Sequence, residues 1–327
     1  MLNLSNLNHA FRECSNLESI TIGGNTLPKT ITSMNSTYWK DYKLKNVIPI
    51  PNDLIYDLNM QSCCGYCDAL TDDVIYTVIP FKVTNIGYMY EYCKGLVNPS
   101  IEIKSDNVYT RQMFQYCTNI TSLNVNFSGR LLRNAQYFAQ YCNNLDTVTL
   151  IFPDSLVMHD YYETGVEYYN MFQYCQNLHY VNLDMSKLAN TNTKADFGGM
   201  FYQDRYIKEI HGLDFTYLKP CQHPLSNSGQ NFYDWHNDSI TYGGSYEDLT
   251  VFDVTGMLQH SYNFRNITTI THTKIILRHL DTVTNETLGL TYNIMDAIDD
   301  ELNEYVDQEL KTLALDAMNR GWTFTIV

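Results

Sequence analysis

One segment of this chain recurs with its apolar residues in the same order. It reads Met-Phe-Gln-Tyr-Cys-Thr-Asn-Ile-Thr-Ser-Leu-Asn-Val at residues 113–125, and related versions stand at 138–150 and 171–183. In each version, apolar residues follow the cysteine by three, six and eight positions. The last two alternate with a polar residue, which predicts a half-buried strand. The apolar pair before the cysteine predicts a buried turn or short helix.

A unit of this size cannot bury its apolar side chains alone, so it needs a neighbouring unit on each side. The same spacing can be followed along most of the chain, with aspartate in place of cysteine at positions 41 and 204. The eight repeat positions are 14, 41, 67, 93, 117, 142, 175 and 204. Their spacing of 24 to 33 residues lies mainly in the range of leucine-rich repeats. This predicts an α/β solenoid of about eight to ten rungs, with one short strand in each rung.

The two ends of the repeat region differ from its centre. The first unit covers residues 10–22, and little sequence before it could form the polar cap that terminal repeats normally carry. We therefore expect this N-terminal rung to be covered by a partner or by further chain. Residues 212–264 fit the repeat poorly, and the apolar run at 274–277 predicts a last strand.

The C-terminal segment has a different periodicity. Apolar residues recur at helical spacing from 294 to 318, with Asp and Glu on the other face, which predicts an amphipathic helix. Gly321 follows as a helix terminator, and the alternation in 322–327 predicts a strand. The sequence thus divides into a repeat domain, 1–280, and a helix–strand cap, 281–327.

Charge and hydropathy argue against several partners. The net charge of −15 disfavours nonspecific binding to nucleic acid or to anionic membranes. No apolar run approaches the ~20 residues that a membrane-spanning helix needs, so we expect no membrane insertion. The N-terminal residues lack the basic and apolar regions of a secretory signal.

Cysteine is the residue most closely tied to the repeat. Six of the nine cysteines occupy the repeat position, and we expect them to be free thiols packed in the core: Cys14, Cys67, Cys93, Cys117, Cys142 and Cys175. Cys64 and Cys67 also form a Cys-x-x-Cys pair, an alternative signal for zinc or redox chemistry, but no second pair follows. Cys221 and His223 are a weaker candidate for a metal site.

The sequence has no phosphate-binding loop, nucleophile elbow or His-Glu-x-x-His motif, so we expect no enzyme activity, no cofactor and no metal. The better candidate is the strand surface, because its outward side chains are polar and suit hydrogen bonding to a protein or glycan partner. The predicted binding residues are Thr121, Asn124, Asp146, Thr149, His179, Tyr180, Asn182, Lys208 and His211. An insertion at 161–165 is a second candidate. The alternative is a solvated face that binds nothing.

The Met-Phe-x-x-Cys-x-x-Leu units resemble BspA-type leucine-rich repeats. The Asn-Arg-Gly-Trp-Thr segment at 319–323 is also similar to the tail of that family. The resemblance covers residues 10–210 and, more loosely, 265–327. It implies a right-handed solenoid with its parallel sheet on the concave side, as in adhesins on bacterial and protozoan surfaces and in arrays borne by bacteriophages.

The resemblance implies a location on a virion or a cell surface. One expected function is recognition or adhesion through the concave face or the insertion loops. The alternative is a structural subunit of a bacteriophage particle, in a tail, fibre or decoration protein. Such a subunit would dock into a larger assembly or oligomer through its N-terminal rung.

Overall fold

The structure is a computed structural model and describes residues 4–24, 26–156, 170–188, 200–201, 204, 206–214, 251–255, 262–264, 270–278, 280–290, 294 and 307–326. The predictions for the 161–165 insertion and for Cys221 and His223 fall outside these residues. Within them, most of the regular structure is parallel β-sheet with few helices, which is an α/β arrangement. The paired strands recur once per repeat, so the arrangement is solenoid-like.

The larger sheet contains seven strands among the described residues, and every pairing is parallel. Strands are numbered in chain order across the molecule, and neighbours in this sheet follow the order of the chain. They are β2 (Val78–Ile79), β4 (Ser100–Ile103), β6 (Ser122–Phe127), β8 (Thr147–Ile151), β10 (Tyr180–Asp184), β11 (Glu209–Asp214) and β12 (Val251–Thr255). In the central strands, buried and more exposed residues alternate, as the spacing of apolar residues predicted.

A second parallel sheet runs beside the first, with one short strand from each successive repeat. Its strands are β1 (Leu58–Asn59), β3 (Val83–Asn85), β5 (Val108–Tyr109), β7 (Leu131–Asn134) and β9 (Ser155–Leu156). Isolated parallel bridges from Asn6 to Ser33 and from Ser33 to Asn59 extend this line to the first repeat. The sequence did not predict this sheet, because its strands are too short to show an alternating pattern.

Each repeat forms one coil, which we define as the chain segment around one repeat position. Between its two strands the coil makes tight turns, and non-glycine residues there adopt positive φ, as at Tyr92 (58°) and Tyr116 (60°). The turns are also joined from coil to coil. Tyr92 N–H donates to the carbonyl of Gln115 at 2.9 Å, and Tyr116 N–H donates to that of Gln140 at 2.9 Å. The stacked turns therefore satisfy backbone groups that a lone turn would leave to solvent.

The core lies between the two sheets and the turns. The apolar residue three positions after the repeat position is fully buried from the second coil onward: Leu44, Leu70, Leu96, Ile120, Leu145, Leu178 and Ile207. The apolar pair before it is buried as well, as at Met113 and Phe114. These columns are the features that the repeated segment predicted.

The repeat cysteines form a ladder of hydrogen bonds through the core. The Cys117 thiol donates to the carbonyl of Tyr90 at 2.9 Å, and the Cys142 thiol donates to that of Phe114 at 3.1 Å. Cys67, Cys93 and Cys175 make the same bond to the preceding coil, at 3.0 to 3.1 Å. Burial raises the pKa of the Cys142 thiol to about 12, so the thiols stay protonated donors. Cys14 differs from the prediction, because it is exposed.

Five tyrosines stand immediately before the repeat position in consecutive coils and stack on one another: Tyr66, Tyr92, Tyr116, Tyr141 and Tyr174. We call them the tyrosine ladder. Their ring centroids are 4.4 to 4.8 Å apart with interplanar angles of 7 to 15°. Each tyrosine has positive φ, between 58 and 64°. Trp39 meets the first ring edge-on at 5.5 Å and is itself covered by the cations of Arg12 and Lys40.

The C-terminal part holds a separate parallel sheet of three strands, β13 (Tyr262–Phe264), β14 (Glu286–Leu290) and β15 (Trp322–Ile326). Strand β15 is close to the predicted final strand. Helix α1 (Ile270–Arg278) precedes β14, and helix α2 (Gln308–Asn319) precedes β15. The predicted strand at 274–277 is wrong, since these residues lie within α1.

Helix α2 confirms the last part of the helix predicted over 294–318; residues 295–306 are not described. It buries Leu310 and Ala317, which the helical spacing predicted, and also Ala314. The Asp307 carboxylate caps its first turn by accepting from Leu310 N–H at 3.0 Å. Helices α1 and α2 pack together, with Lys274 paired to the capping carboxylate at 2.6 Å.

The first coil, residues 4–24, is less buried than the coils that follow. Leu4 and Ile22 are each 39% exposed, and Phe11, Leu17 and Ile20 are only partly buried. No strand forms in this coil within the large sheet. In place of strand pairing, the Asn46 side chain joins the second coil to the backbone of Ile20. It accepts from Ile20 N–H at 2.9 Å and donates to the Ile20 carbonyl at 2.7 Å.

Candidate binding face

The outward side chains of the large sheet form straight rows across the strands, because neighbouring strands are paired in register. The central row lies seven positions after the repeat position in each coil: Ser100, Asn124, Thr149, Asn182 and His211. Neighbouring members are about 4.8 Å apart, the spacing of paired strands. We call this row, together with the two rows described next, the polar face.

The side chains of four members of the central row are unpaired within the described part of the chain. Ser100, Asn124, Thr149 and Asn182 make no hydrogen bond there through their hydroxyl or amide groups. Ser100 and Asn124 are exposed, and Thr149 and Asn182 are half-buried. The row therefore offers both donors and acceptors to a bound molecule.

A second row lies two residues earlier on the same face and contains Ser122, Thr147, Tyr180 and Glu209. Tyr180 is the aromatic member, and its ring centroid lies 6.0 Å from that of His179. Glu209 is the carboxylate of this row and contacts His211 Nε2 through Oε2 at 3.1 Å. Neither row holds an arginine or lysine among its described members.

The third row lies in the bends that lead into the strands: Thr121, Asp146, His179 and Lys208. Each backbone N–H donates to the carbonyl of the member before it: Asp146 to Thr121 at 2.8 Å, His179 to Asp146 at 2.9 Å and Lys208 to His179 at 2.8 Å. Three of the four are half-buried, and Thr121 is exposed.

One pair in this row is rigidly held. His179 Nδ1 lies 2.6 Å from Asp146 Oδ1, and the other carboxylate oxygen of Asp146 accepts from the Thr147 hydroxyl at 3.1 Å. The imidazole orientation is thereby fixed, while its Nε2 has no partner in the described part of the chain. This leaves one oriented nitrogen beside the Tyr180 ring.

All nine predicted binding residues lie in these three rows. The prediction separated them by coil, whereas the structure groups them by row and adds Ser100, Ser122, Thr147 and Glu209, which are not among the nine. Ser100 lies seven positions after Cys93, which is the spacing of this row, although Pro99 stands where the other coils have an apolar strand residue.

The side chains of the polar face are mainly hydrogen-bonding groups. Among the described residues, no group of three or more His, Cys, Asp or Glu side chains could hold a metal ion. The Cys64 and Cys67 thiols are fully buried, and burial raises the pKa of both. What remains is an array of fixed hydrogen-bonding groups.

In the part of the chain that the structure describes, no helix is both long and apolar enough to cross a membrane. No family model, curated protein or solved structure matches this chain.

Proposed function

We propose that this chain is a non-enzymatic recognition module of the BspA-like leucine-rich-repeat type, right-handed, with the polar face on its concave side. The observation that carries the proposal is the central row, in which Ser100, Asn124, Thr149 and Asn182 are aligned across four strands with free polar groups. Groups at such a regular spacing favour an extended partner with repeating hydrogen-bonding groups.

The composition of the face favours a glycan over a protein partner. Protein interfaces draw most of their binding energy from tryptophan, tyrosine and arginine anchors. The two strand rows offer one such anchor, Tyr180, among hydroxyl and amide groups. A neutral, hydroxyl-rich chain can exchange hydrogen bonds with those groups, and the aromatic ring can cover an apolar sugar face.

A non-enzymatic role is supported by the surroundings of the Asp146–His179 pair. The imidazole is oriented as in many general bases, but no serine, threonine or cysteine side chain within the described residues bonds to its Nε2. Recognition on a virion or a cell surface is the role that this proposal assigns to the chain.

The test is binding to an array of neutral oligosaccharides, followed by titration calorimetry with the best ligand. The triple variant Asn124→Ala, Thr149→Ala, Asn182→Ala should lose about 100-fold in affinity, since three hydrogen bonds of about 1 kcal/mol each are removed. Thr84→Ala is the matched control, because Thr84 is a half-buried threonine in the other sheet. Equal affinities for the triple variant and the unaltered chain would exclude the polar face, and binding to protein but to no glycan would reject the glycan assignment.

A second candidate function is favoured by the first coil, whose Phe11, Leu17 and Ile20 are less buried than their counterparts in later coils. We propose as the alternative that another protein subunit covers this coil, as in a bacteriophage tail, fibre or decoration protein. Density-gradient fractionation of the native source separates the two: co-sedimentation with virus-like particles supports the subunit, and recovery with cell envelopes counts against it.

A further inference from the structure

Two aspartates occupy the repeat position that cysteine fills elsewhere, and both are completely buried. Asp41 and Asp204 are each 0% exposed. One oxygen of each carboxyl group accepts a backbone N–H from the preceding coil, from Cys14 at 2.7 Å and from Cys175 at 2.6 Å. The other oxygen, Oδ2 in both residues, is buried with no hydrogen-bond partner in the described part of the chain.

Asp41 has the more completely described surroundings of the two. Its carboxyl group accepts from the Cys14 backbone and interacts electrostatically with the Cys67 thiol of the next coil, and no lysine, arginine or histidine among the described residues pairs with it. A buried carboxylate without a cation or a full set of donors is strongly disfavoured. Burial accordingly raises the pKa of Asp41 to about 7, against the opposing effect of its bond to Cys14 N–H.

The neighbouring coils show what the free oxygen should do. In each cysteine coil from Cys67 to Cys175, the thiol donates to the carbonyl of the residue three positions before the preceding repeat position. By the same register, the corresponding carbonyl for Asp41 belongs to Phe11. A carboxylate has no proton to donate to that oxygen, whereas a neutral carboxylic acid has one.

We propose that Asp41 is a neutral carboxylic acid in the folded chain and forms a pH-sensitive junction between the first and second coils. Its Oδ1 accepts from Cys14 N–H, and its Oδ2–H donates to the carbonyl of Phe11 in place of the thiol. When the proton is released to solvent, a buried anion faces a carbonyl oxygen, and the attachment of the first coil weakens. Asp204 repeats the same geometry against Cys175.

The sign of the pH effect follows from the proton balance. The folded pKa lies above the ordinary value of about 3.9, so the closed junction binds one more proton than the open one between these two values. The stabilisation is complete below the ordinary value and is lost as the pH rises to about 7, by roughly tenfold per pH unit. Above that pH, both states are ionised and the stability of the junction levels off.

The experiment is native-state hydrogen exchange from pH 5 to pH 9, corrected for intrinsic rates, on the amides that join the first two coils. Leu7, Phe11 and Glu13 donate to carbonyls of the second coil and report on the junction. Their protection should fall about 50-fold from pH 5 to pH 7, about twofold more by pH 8, and then stay level. The amides of Tyr92 and Tyr116, which join later coils, are the internal control and should not follow this change.

Asp41→Asn keeps an acceptor and a donor but cannot ionise, so protection of the first coil should no longer depend on pH. Asp41→Cys, which installs the residue of the other coils, is the second variant in case the amide folds poorly. Carbon-13 NMR of labelled aspartate in the unaltered chain gives the titration of Asp41 directly. A carboxyl group that titrates near its ordinary value, or equal pH profiles for the unaltered chain and both variants, would overturn the proposal.

Discussion

The tyrosine ladder makes a quantitative prediction, because its middle member, Tyr116, stacks on both sides. Its ring lies 4.4 Å from that of Tyr92 and 4.6 Å from that of Tyr141, with interplanar angles of 15 and 7°. Tyr116→Ala removes two aromatic pairs, each contributing about 0.5–1.5 kcal/mol beyond area burial. Loss of roughly 100 Å² of buried ring surface adds about 2.5 kcal/mol. The expected destabilisation is therefore about 3.5–5.5 kcal/mol.

The backbone of Tyr116 allows the ring and the main chain to be separated. Its φ of 60° is a conformation that costs an ordinary residue about 1–2 kcal/mol and a glycine almost nothing. Tyr116→Gly should therefore be about 1 kcal/mol more stable than Tyr116→Ala, the reverse of the usual order in regular structure. Tyr109→Ala is the matched control, since Tyr109 is half-buried but stacks on no other ring among the residues that the structure describes.

Equilibrium urea unfolding, followed by far-ultraviolet circular dichroism, measures all three variants. Tyr116→Ala should shift the unfolding midpoint lower than Tyr109→Ala does, by the contribution of the two stacked pairs. If the two alanine variants are equally stable, stacking contributes nothing. If Tyr116→Gly is less stable than Tyr116→Ala, the strain argument for the turn fails.

Two further predictions concern the core. Leu145→Ala should cost about 2–5 kcal/mol because Leu145 is fully buried, whereas Leu17→Ala, in the less buried first coil, should cost about 1 kcal/mol, as measured by urea unfolding. Cys142→Asp should place a third carboxylic acid in the core. The urea midpoint of this variant, compared with that of the unaltered chain, should therefore decrease as the pH is raised from 5 to 7. A midpoint difference that does not vary with pH would contradict the argument made for Asp41.

Most of the fold that could be predicted from the sequence was predicted from the repeat positions. Because each unit places apolar residues at fixed distances from one cysteine, the alternating strands such as Ser122–Phe127 and Thr147–Ile151 could be located in advance. The apolar run at 274–277 could not, because a short run of this kind is compatible with a buried strand or a buried helix. In the structure these residues are helical, and their helix α1 packs on α2.

The polar face and the tyrosine ladder show a second limit. The outward residues were predicted coil by coil, but their alignment depends on the register between strands, such as Asn124 opposite Thr149. A tyrosine precedes five of the repeat cysteines in the sequence. The stacking of these tyrosines could not be predicted from periodicity, because a column that runs from coil to coil follows neither the 3.6-residue period of a helix nor the two-residue period of a strand. Such columns can be found only by aligning the repeats with one another.

The buried thiols also allow the separation of the coils to be followed by chemical modification. Among the described cysteines, Cys14 is exposed and the other seven are buried. A thiol-alkylating reagent therefore reaches Cys14 in the closed chain and reaches a later cysteine only when its coil has separated from the next. Peptide mapping after timed alkylation would give the order in which the coils open, without any introduced label.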